Sequence, residues 1–246
     1  MTQPALAENV RGKGRHYRHP VTGDLVPSVT NVISTLSKGE ALTRWAAKMV
    51  AERAMVMKHS LPRMEDNDIV DTLKSAPFNR SKRAADRGTD IHTYLEHRLN
   101  LWEPQPLSDD AMPFKAAADD WYENNYPDEV VATELTMFHP LYAGTTDVVM
   151  RSGGKTIIAD FKTSKGIYDE AALQLSALAA CLVDANGDPL PWRYEDGSLV
   201  EMPTLVVIRI GEDGWEEKVV ADPLASIDAF FGLLAAWNWK HEKAYL

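Results

Sequence analysis

At residue 129 the chain changes character. Three β-rich runs, EVVATELTMF, LYAGTTDVVM and KTIIADFKT, follow one another, separated by little more than His-Pro and Arg-Ser-Gly-Gly. β-Branched and aromatic residues in short runs, broken by turn-forming pairs, predict consecutive antiparallel strands joined by tight turns. A helical run, DEAALQLSALAACLV, follows at 169–183. A strand pair, TLVVIRI and GWEEKVV, then forms across Gly-Glu-Asp-Gly, and DPLASIDAFFGLLAAWNWKHEK closes the chain as a helix. Three strands, a helix, two strands and a helix predict a mixed α/β fold: a central mixed sheet flanked by helices.

The sequence before residue 129 reads differently. Residues 1–27 are polar and turn-rich, so an irregular arm is expected, with a short hairpin around HPVTGDLVPS. A helical stretch opens at 28–33. Leu42, Trp45, Met49 and Val56 recur at near-helical spacing in 41–57, which favours a core position for Trp45. A short helix near 66–74 follows. From Asn79 onward, Ile91, Leu95 and Leu99 repeat every four residues on one amphipathic helix, and a further helix is expected at 108–125. The organisation expected is an arm at 1–27 and one domain at 28–246, with a helical portion at 28–128 and the sheet with its helices at 129–246.

The chain has 246 residues, 45% of them hydrophobic and 25% charged, enough to bury a core. No apolar run approaches the roughly 20 residues of a membrane span, and the first residues lack the apolar segment of a signal peptide, so no membrane partner and a cytoplasmic location are expected. Cys181 is the single cysteine. It excludes an internal disulfide framework or a Cys-rich metal site, and its apolar surroundings predict a core position. The net charge of −10 is unevenly spread: residues 1–100 carry 16 Lys and Arg against 11 Asp and Glu, and the remainder 10 against 25. The first part is therefore the candidate surface for an anionic partner.

Alternate side chains of a strand share a face, so Asp160 and Lys162 project together while Phe161 points to the opposite layer. A hairpin through Arg-Ser-Gly-Gly brings Asp147 beside Asp160. Two carboxylates and an ammonium at one strand end suit metal-assisted phosphodiester hydrolysis, which needs hard oxygen ligands and a nearby cation.

With the preceding helix included, the pattern resembles a known family. Gly88-Thr-Asp-Ile-His92, Glu134, Gly144-Thr-Thr-Asp147, Asp160-Phe-Lys162-Thr163 and Gln174 follow the order of motifs in the RecB-like branch of the PD-(D/E)XK nucleases, over residues 28–183. Bacteriophage-type exonucleases are the relatives it most resembles. The resemblance implies the PD-(D/E)XK nuclease core and a deoxyribonuclease using Mg²⁺ or Mn²⁺. By it, Asp147, Asp160 and Lys162 are catalytic. His92, Asp147, Asp160, the carbonyl of Phe161 and Glu134 would hold the metal, and Lys162 would orient the attacking water. His92 also reads as a packed histidine, and Glu134 as a surface carboxylate. The family's Gln-X-X-X-Tyr motif appears here as Gln174-Leu-Ser-Ala-Leu178, without the aromatic residue; Tyr168 is a candidate substitute. Branch members with an iron–sulfur cluster need four cysteines, so this chain resembles the cluster-free members.

DNA ends or single strands are the substrate expected. Contacts are assigned to Gln174, Thr163, Lys82, Arg83 and Arg87, and to the basic runs at 11–19 and 79–87, which read equally as solvated surface. Tyr94 and Trp102 are candidates for stacking unpaired bases. A role in recombination, replication or repair, beside a recombinase or single-strand-binding protein, follows from the same resemblance. The competing readings are a non-catalytic nuclease-fold DNA-binding module in a recombination complex, a structure-specific endonuclease, and an unrelated metal hydrolase.

Overall fold

The structure, a computed structural model, describes residues 4–36 and 39–241. The chain forms two compact units, one drawn from Met1–Leu36 and Asp90–Leu246, the other from Ser37–Thr89. These boundaries differ from the expected division at residue 27, because the arm packs into the same unit as the sheet.

The first unit is a mixed α/β structure. Nine strands are described: β1 (Ala7–Val10), β2 (Gly14–Arg18), β3 (Leu25–Pro27), β4 (Glu129–His139), β5 (Tyr142–Ser152), β6 (Lys155–Lys162), β7 (Val183–Asp184), β8 (Thr204–Gly211) and β9 (Gly214–Val219). Seven α-helices are described over the two units: α1 (Val29–Ile33), α2 (Gly39–Met57), α3 (Asp66–Lys74), α4 (Ala76–Leu99), α5 (Lys115–Asn125), α6 (Glu170–Ala179) and α7 (Pro223–His241). The central sheet has the order β7-β4-β5-β6-β8-β9. Its pairs are antiparallel except β6 with β8. That parallel pair requires a crossover, and α6 lies within it. The β5–β6 hairpin turns at Gly153 and Gly154, whose φ values of 56° and 75° are those a two-residue hairpin needs.

Strand alternation divides the interior into two layers. Val149, Ile158, Leu205 and Val207 join Leu175, Leu178, Phe230 and Trp237 on the side of α6 and α7, while Val148, Ala159, Phe161 and Ile208 join Ile91, Leu95, Phe114 and Trp121 on the side of α4 and α5. Trp121 is fully buried, meets Phe161 edge to face at 4.9 Å between centroids, and donates its indole N–H to Glu217 at 2.8 Å. Cys181 is buried, as its apolar surroundings predict.

Three expectations are corrected. The N-terminal arm is a three-stranded antiparallel sheet, β1-β2-β3, containing the expected hairpin; Tyr17 and Val26 bury themselves against Phe138 and Ala143, which a local reading of residues 1–27 does not reveal. The helix expected at 108–125 begins only at Lys115, after a 3₁₀ turn at Met112–Phe114. The helix expected to reach 183 ends at Ala179, because Leu182 donates its N–H to Phe138 and Val183 pairs with β4.

The second unit holds α2, α3 and α4 up to Thr89. No residue of α2 is fully buried, and Leu42 and Val56 are exposed. Trp45, expected in the core, is only half-buried. No helix among the described residues is long and apolar enough to cross a membrane.

Candidate active site

The β5–β6 ladder runs from Ser152↔Lys155 to Val148↔Ala159. Beyond that pair, side chains of β5 take over the work of its backbone. Thr146 donates its hydroxyl to the Ala159 carbonyl at 3.0 Å, and Asp147 Oδ2 accepts the Phe161 N–H at 2.5 Å. These bonds satisfy buried main-chain groups that would otherwise lack partners. Meanwhile β6 stays paired with β8 as far as Lys162↔Arg209. It therefore remains a strand, and Asp160 and Lys162 share a face.

Four side chains join Asp147 in one cluster. His92, on α4, places Nδ1 3.2 Å from Asp147 Oδ1. The Lys162 ammonium is ion-paired with Asp160 Oδ2. Gln174, on α6, bridges that pair: its Nε2 donates to Asp160 Oδ1 at 2.8 Å, and its Oε1 accepts from Lys162 at 3.3 Å. Asp160 is only 3% exposed. The cluster borders a cavity of about 520 Å³ that also meets Glu134 and Gly144.

Glu134 stands opposite Asp147, between the paired residues Thr133↔Val148 and Leu135↔Thr146. Its φ of 49° is left-handed, a conformation that costs a non-glycine residue about 1 kcal/mol or more and persists only where its surroundings enforce it. Burial, with the charges of Asp147 and Glu96, pushes the Glu134 carboxyl up to about 7.

The other titrating groups are biased in opposing directions. Burial raises the Asp160 carboxyl and the like charge of Asp147 adds to it, which Lys162 offsets only in part. Burial also opposes the charged form of Asp147, but His92, Lys162 and the Phe161 N–H outweigh it and hold that carboxyl below its ordinary range. Burial acts against the His92 imidazolium, yet Asp147, through its charge and hydrogen bond, and then Asp160 prevail and raise its pKa. For Lys162 burial is likewise overcome by Asp160 and Asp147, and the ammonium is favoured.

Among the described residues, no three His, Cys, Asp or Glu side chains form a ready metal cage. The site oxygens are instead engaged by Lys162, Gln174, His92 and the Phe161 N–H. The donor chemistry nevertheless suits a hard divalent cation. Three carboxylates border one cavity, two of them pushed toward their protonated forms, and buried Asp160 Oδ2 has the Lys162 ammonium as its one partner among the described residues.

The residues expected in the site are thus partly gathered. His92, Glu134, Asp147, Asp160, Lys162 and Gln174 meet at one cavity. The Phe161 side chain is buried in the opposite layer, as strand alternation predicts, and Thr163 is half-buried just beyond β6. Lys82, Arg83 and Arg87 lie on α4 within the other unit; Lys82 is exposed and paired with Asp86 at 2.7 Å. Tyr94 is not a stacking surface: it is buried and donates its hydroxyl to Asp119 at 2.5 Å. Trp102 and Tyr168 are exposed. Leu178 is core, and its Cδ2 would stand 2.8 Å from a Cβ added at Gly144, so the glycine admits α6 close to β5. Sequence reasoning missed the wall contributed by the N-terminal sheet, from which Glu8, Asn9, Arg15 and Tyr17 line the cavity. The only signal in the sequence was the basic character of 11–19.

No family model and no curated protein matches the chain. Among solved structures it is similar to that of SSO0001, with 15% identity over 55% of this chain and 59% of that one and a TM-score of 0.31. The chain therefore spans less than two thirds of that protein, and a likeness of this degree carries no argument.

Proposed function

We propose that this chain is a deoxyribonuclease of the PD-(D/E)XK type, in the RecB-like branch without an iron–sulfur cluster, using Mg²⁺ or Mn²⁺. The observation that carries the reading is the cluster itself. Asp147 and Asp160 stand where β5 and β6 part, with Lys162 and Gln174 hydrogen-bonded across Asp160 and His92 against Asp147. A cluster so buried and so rich in like charge is costly to maintain and supports chemistry over a purely structural role.

Asp147, Asp160 and the Phe161 carbonyl would hold the metal, with His92 and Glu134 as further donors. When bound, the ion would supply Lewis-acid polarisation of the scissile phosphate and of an attacking water. Lys162 holds its ammonium at the same point, where it orients the water and meets phosphate charge. Gln174 fixes the relative position of Asp160 and Lys162 by bonding to both. Asp147 favours the imidazolium form of His92, and ligation requires the neutral imidazole, so affinity for the metal rises with pH.

The substrate in this reading is DNA, at ends or as single strands, cut exonucleolytically during recombination, replication or repair in the cytoplasm, beside a recombinase or a single-strand-binding protein. Incubation of the purified chain with end-labelled single-stranded, blunt and circular DNA tests it. Cleavage with Mg²⁺ or Mn²⁺, lost in EDTA and in Asp160→Asn and Lys162→Ala, is expected. Undiminished cleavage by either variant refutes the site.

A further inference from the structure

We infer that Arg15, on the N-terminal sheet, is a phosphate clamp for the single DNA strand that occupies the catalytic cavity. The inference rests on the nuclease reading and adds a substrate-binding residue outside the nuclease motifs.

The basic run 11–19 contains four permanent cations, Arg11, Lys13, Arg15 and Arg18. Their surroundings separate them. Arg18 is already engaged, with Nε 3.0 Å from Glu8 Oε1 and one guanidinium nitrogen donating to the Gly23 carbonyl at 3.1 Å. Arg11 and Lys13 do not border the cavity that holds Asp147, Asp160 and Lys162, whereas Arg15 does. Arg15 forms no ion pair among the described residues.

The backbone at this position is held with unusual redundancy for an exposed residue. The Arg15 carbonyl accepts two hydrogen bonds, from the Ser28 N–H at 3.1 Å and from Asn31 Nδ2 at 2.7 Å. Asn31 also donates to the Lys13 carbonyl at 2.9 Å, which straps the start of β2 to α1. Gly14, at φ 75°, makes room for that strap, since a Cβ there would stand 2.7 Å from Asn31 Nδ2. A guanidinium on an anchored backbone loses less entropy on engaging a ligand. A planar, permanently charged, unpaired fork of donors in a cavity is matched by phosphate oxygens, which accept from it bidentately.

The carboxylates of the cavity repel a polyanion except where a cation stands. Lys162 and His92 are paired with Asp160 and Asp147, so among the described residues lining the cavity Arg15 is the cation in no ion pair, available to a phosphate. It grips a phosphate other than the scissile one and contributes to binding, leaving the chemical step to the Asp147 cluster.

The test uses the whole chain and a short single-stranded oligodeoxynucleotide carrying a fluorophore. Binding is followed by anisotropy in Ca²⁺ and cleavage in Mg²⁺, for wild type, Arg15→Ala, Arg15→Lys and the control Lys155→Ala, an exposed cation at the hairpin end of β6, with thermal unfolding of each as a check on folding. Arg15→Ala is expected to weaken binding and raise KM about tenfold, to change kcat less than about twofold, and to lower the slope of log affinity against log salt by about one. Arg15→Lys retains part of the affinity, and Lys155→Ala retains nearly all of it. If wild type binds and cleaves while Arg15→Ala matches it in KM, affinity and salt slope, the clamp is refuted and the nuclease reading stands. If wild type neither binds nor cleaves, both fall together.

Discussion

Replacing Glu134 with glutamine should stabilise the metal-free protein at alkaline pH and leave it nearly unchanged at acid pH. The Glu134 carboxyl is pushed from 4.5 to about 7 by burial and by its acidic neighbours, so between those values the folded chain binds a proton that the unfolded chain has lost. Stability therefore falls as pH rises through this window and the loss is complete above it. At about 1.4 kcal/mol per pH unit the full gap corresponds to about 3 kcal/mol. Glu134 is only half-buried, and solvent screening reduces the expected effect to about 1 to 2 kcal/mol. For a chain of this size that is a rise of about 2 to 8 °C in the unfolding midpoint of Glu134→Gln, read in EDTA at about pH 8.5. At about pH 4.5 the two proteins should melt together, because both then carry a neutral side chain. Adding Mg²⁺ in excess should narrow the alkaline gap, since a native-state ligand stabilises the protein that keeps the carboxylate. A variant no more stable than wild type at pH 8.5, or equally more stable at both pH values, refutes the electrostatic account; the second outcome would point to side-chain shape.

Three further outcomes follow from the packing around the site. Gln174→Leu removes both hydrogen bonds to the Asp160–Lys162 pair and should reduce cleavage by about 10- to 100-fold in a steady-state assay, with the fold retained by circular dichroism. Gly144→Ala places a Cβ 2.8 Å from Leu178 and 3.3 Å from Val29, and should cost about 1 to 3 kcal/mol in urea unfolding. Combined with Leu178→Ala it should cost less than the sum of the two single changes, and strict additivity would contradict the clash. Trp121→Phe leaves Glu217 without its indole donor and opens space beside Phe161, at a cost of about 1 to 3 kcal/mol by the same measurement.

What could be read from the sequence, and what could not, divides by the range of the interactions involved. The strands β4, β5 and β6 were legible because each carries its own alternation and the Gly153–Gly154 turn sits between the last two. The same local logic put Asp160 and Lys162 on one face. Helical spacing likewise predicted α2, but periodicity specifies a helix without saying what covers it, and Trp45 is not in the core. Tyr94 failed for a related reason: an aromatic residue on an amphipathic helix reads alike whether it faces a ligand or a neighbouring helix, and here Asp119 on α5 takes its hydroxyl. Of the N-terminal sheet only the β2–β3 hairpin was legible, because the burial of the sheet depends on Phe138 and Ala143, more than a hundred residues away.

The site itself combines both kinds of information. Its acidic residues were found from spacing along two strands, yet spacing does not explain why the carboxylates meet in a pocket instead of on a flat sheet. The reason is the end of the β5–β6 ladder at Val148↔Ala159. Once the main chains part, the Thr146 hydroxyl and the Asp147 carboxylate satisfy the β6 groups that the β5 main chain would have bonded, and the left-handed backbone at Glu134 brings a third carboxylate to the same opening. Asp147 is thereby committed twice, as a structural acceptor for Phe161 and as a charged member of the cluster. That double role predicts that Asp147→Ala, unlike Lys162→Ala, loses stability together with any activity, by about 1 to 3 kcal/mol for the unsatisfied Phe161 N–H, whereas Asp147→Asn, able to keep an acceptor oxygen there, recovers much of the stability and none of the cleavage. Equal unfolding midpoints for Asp147→Ala and wild type would show that the parted strands do not depend on this carboxylate.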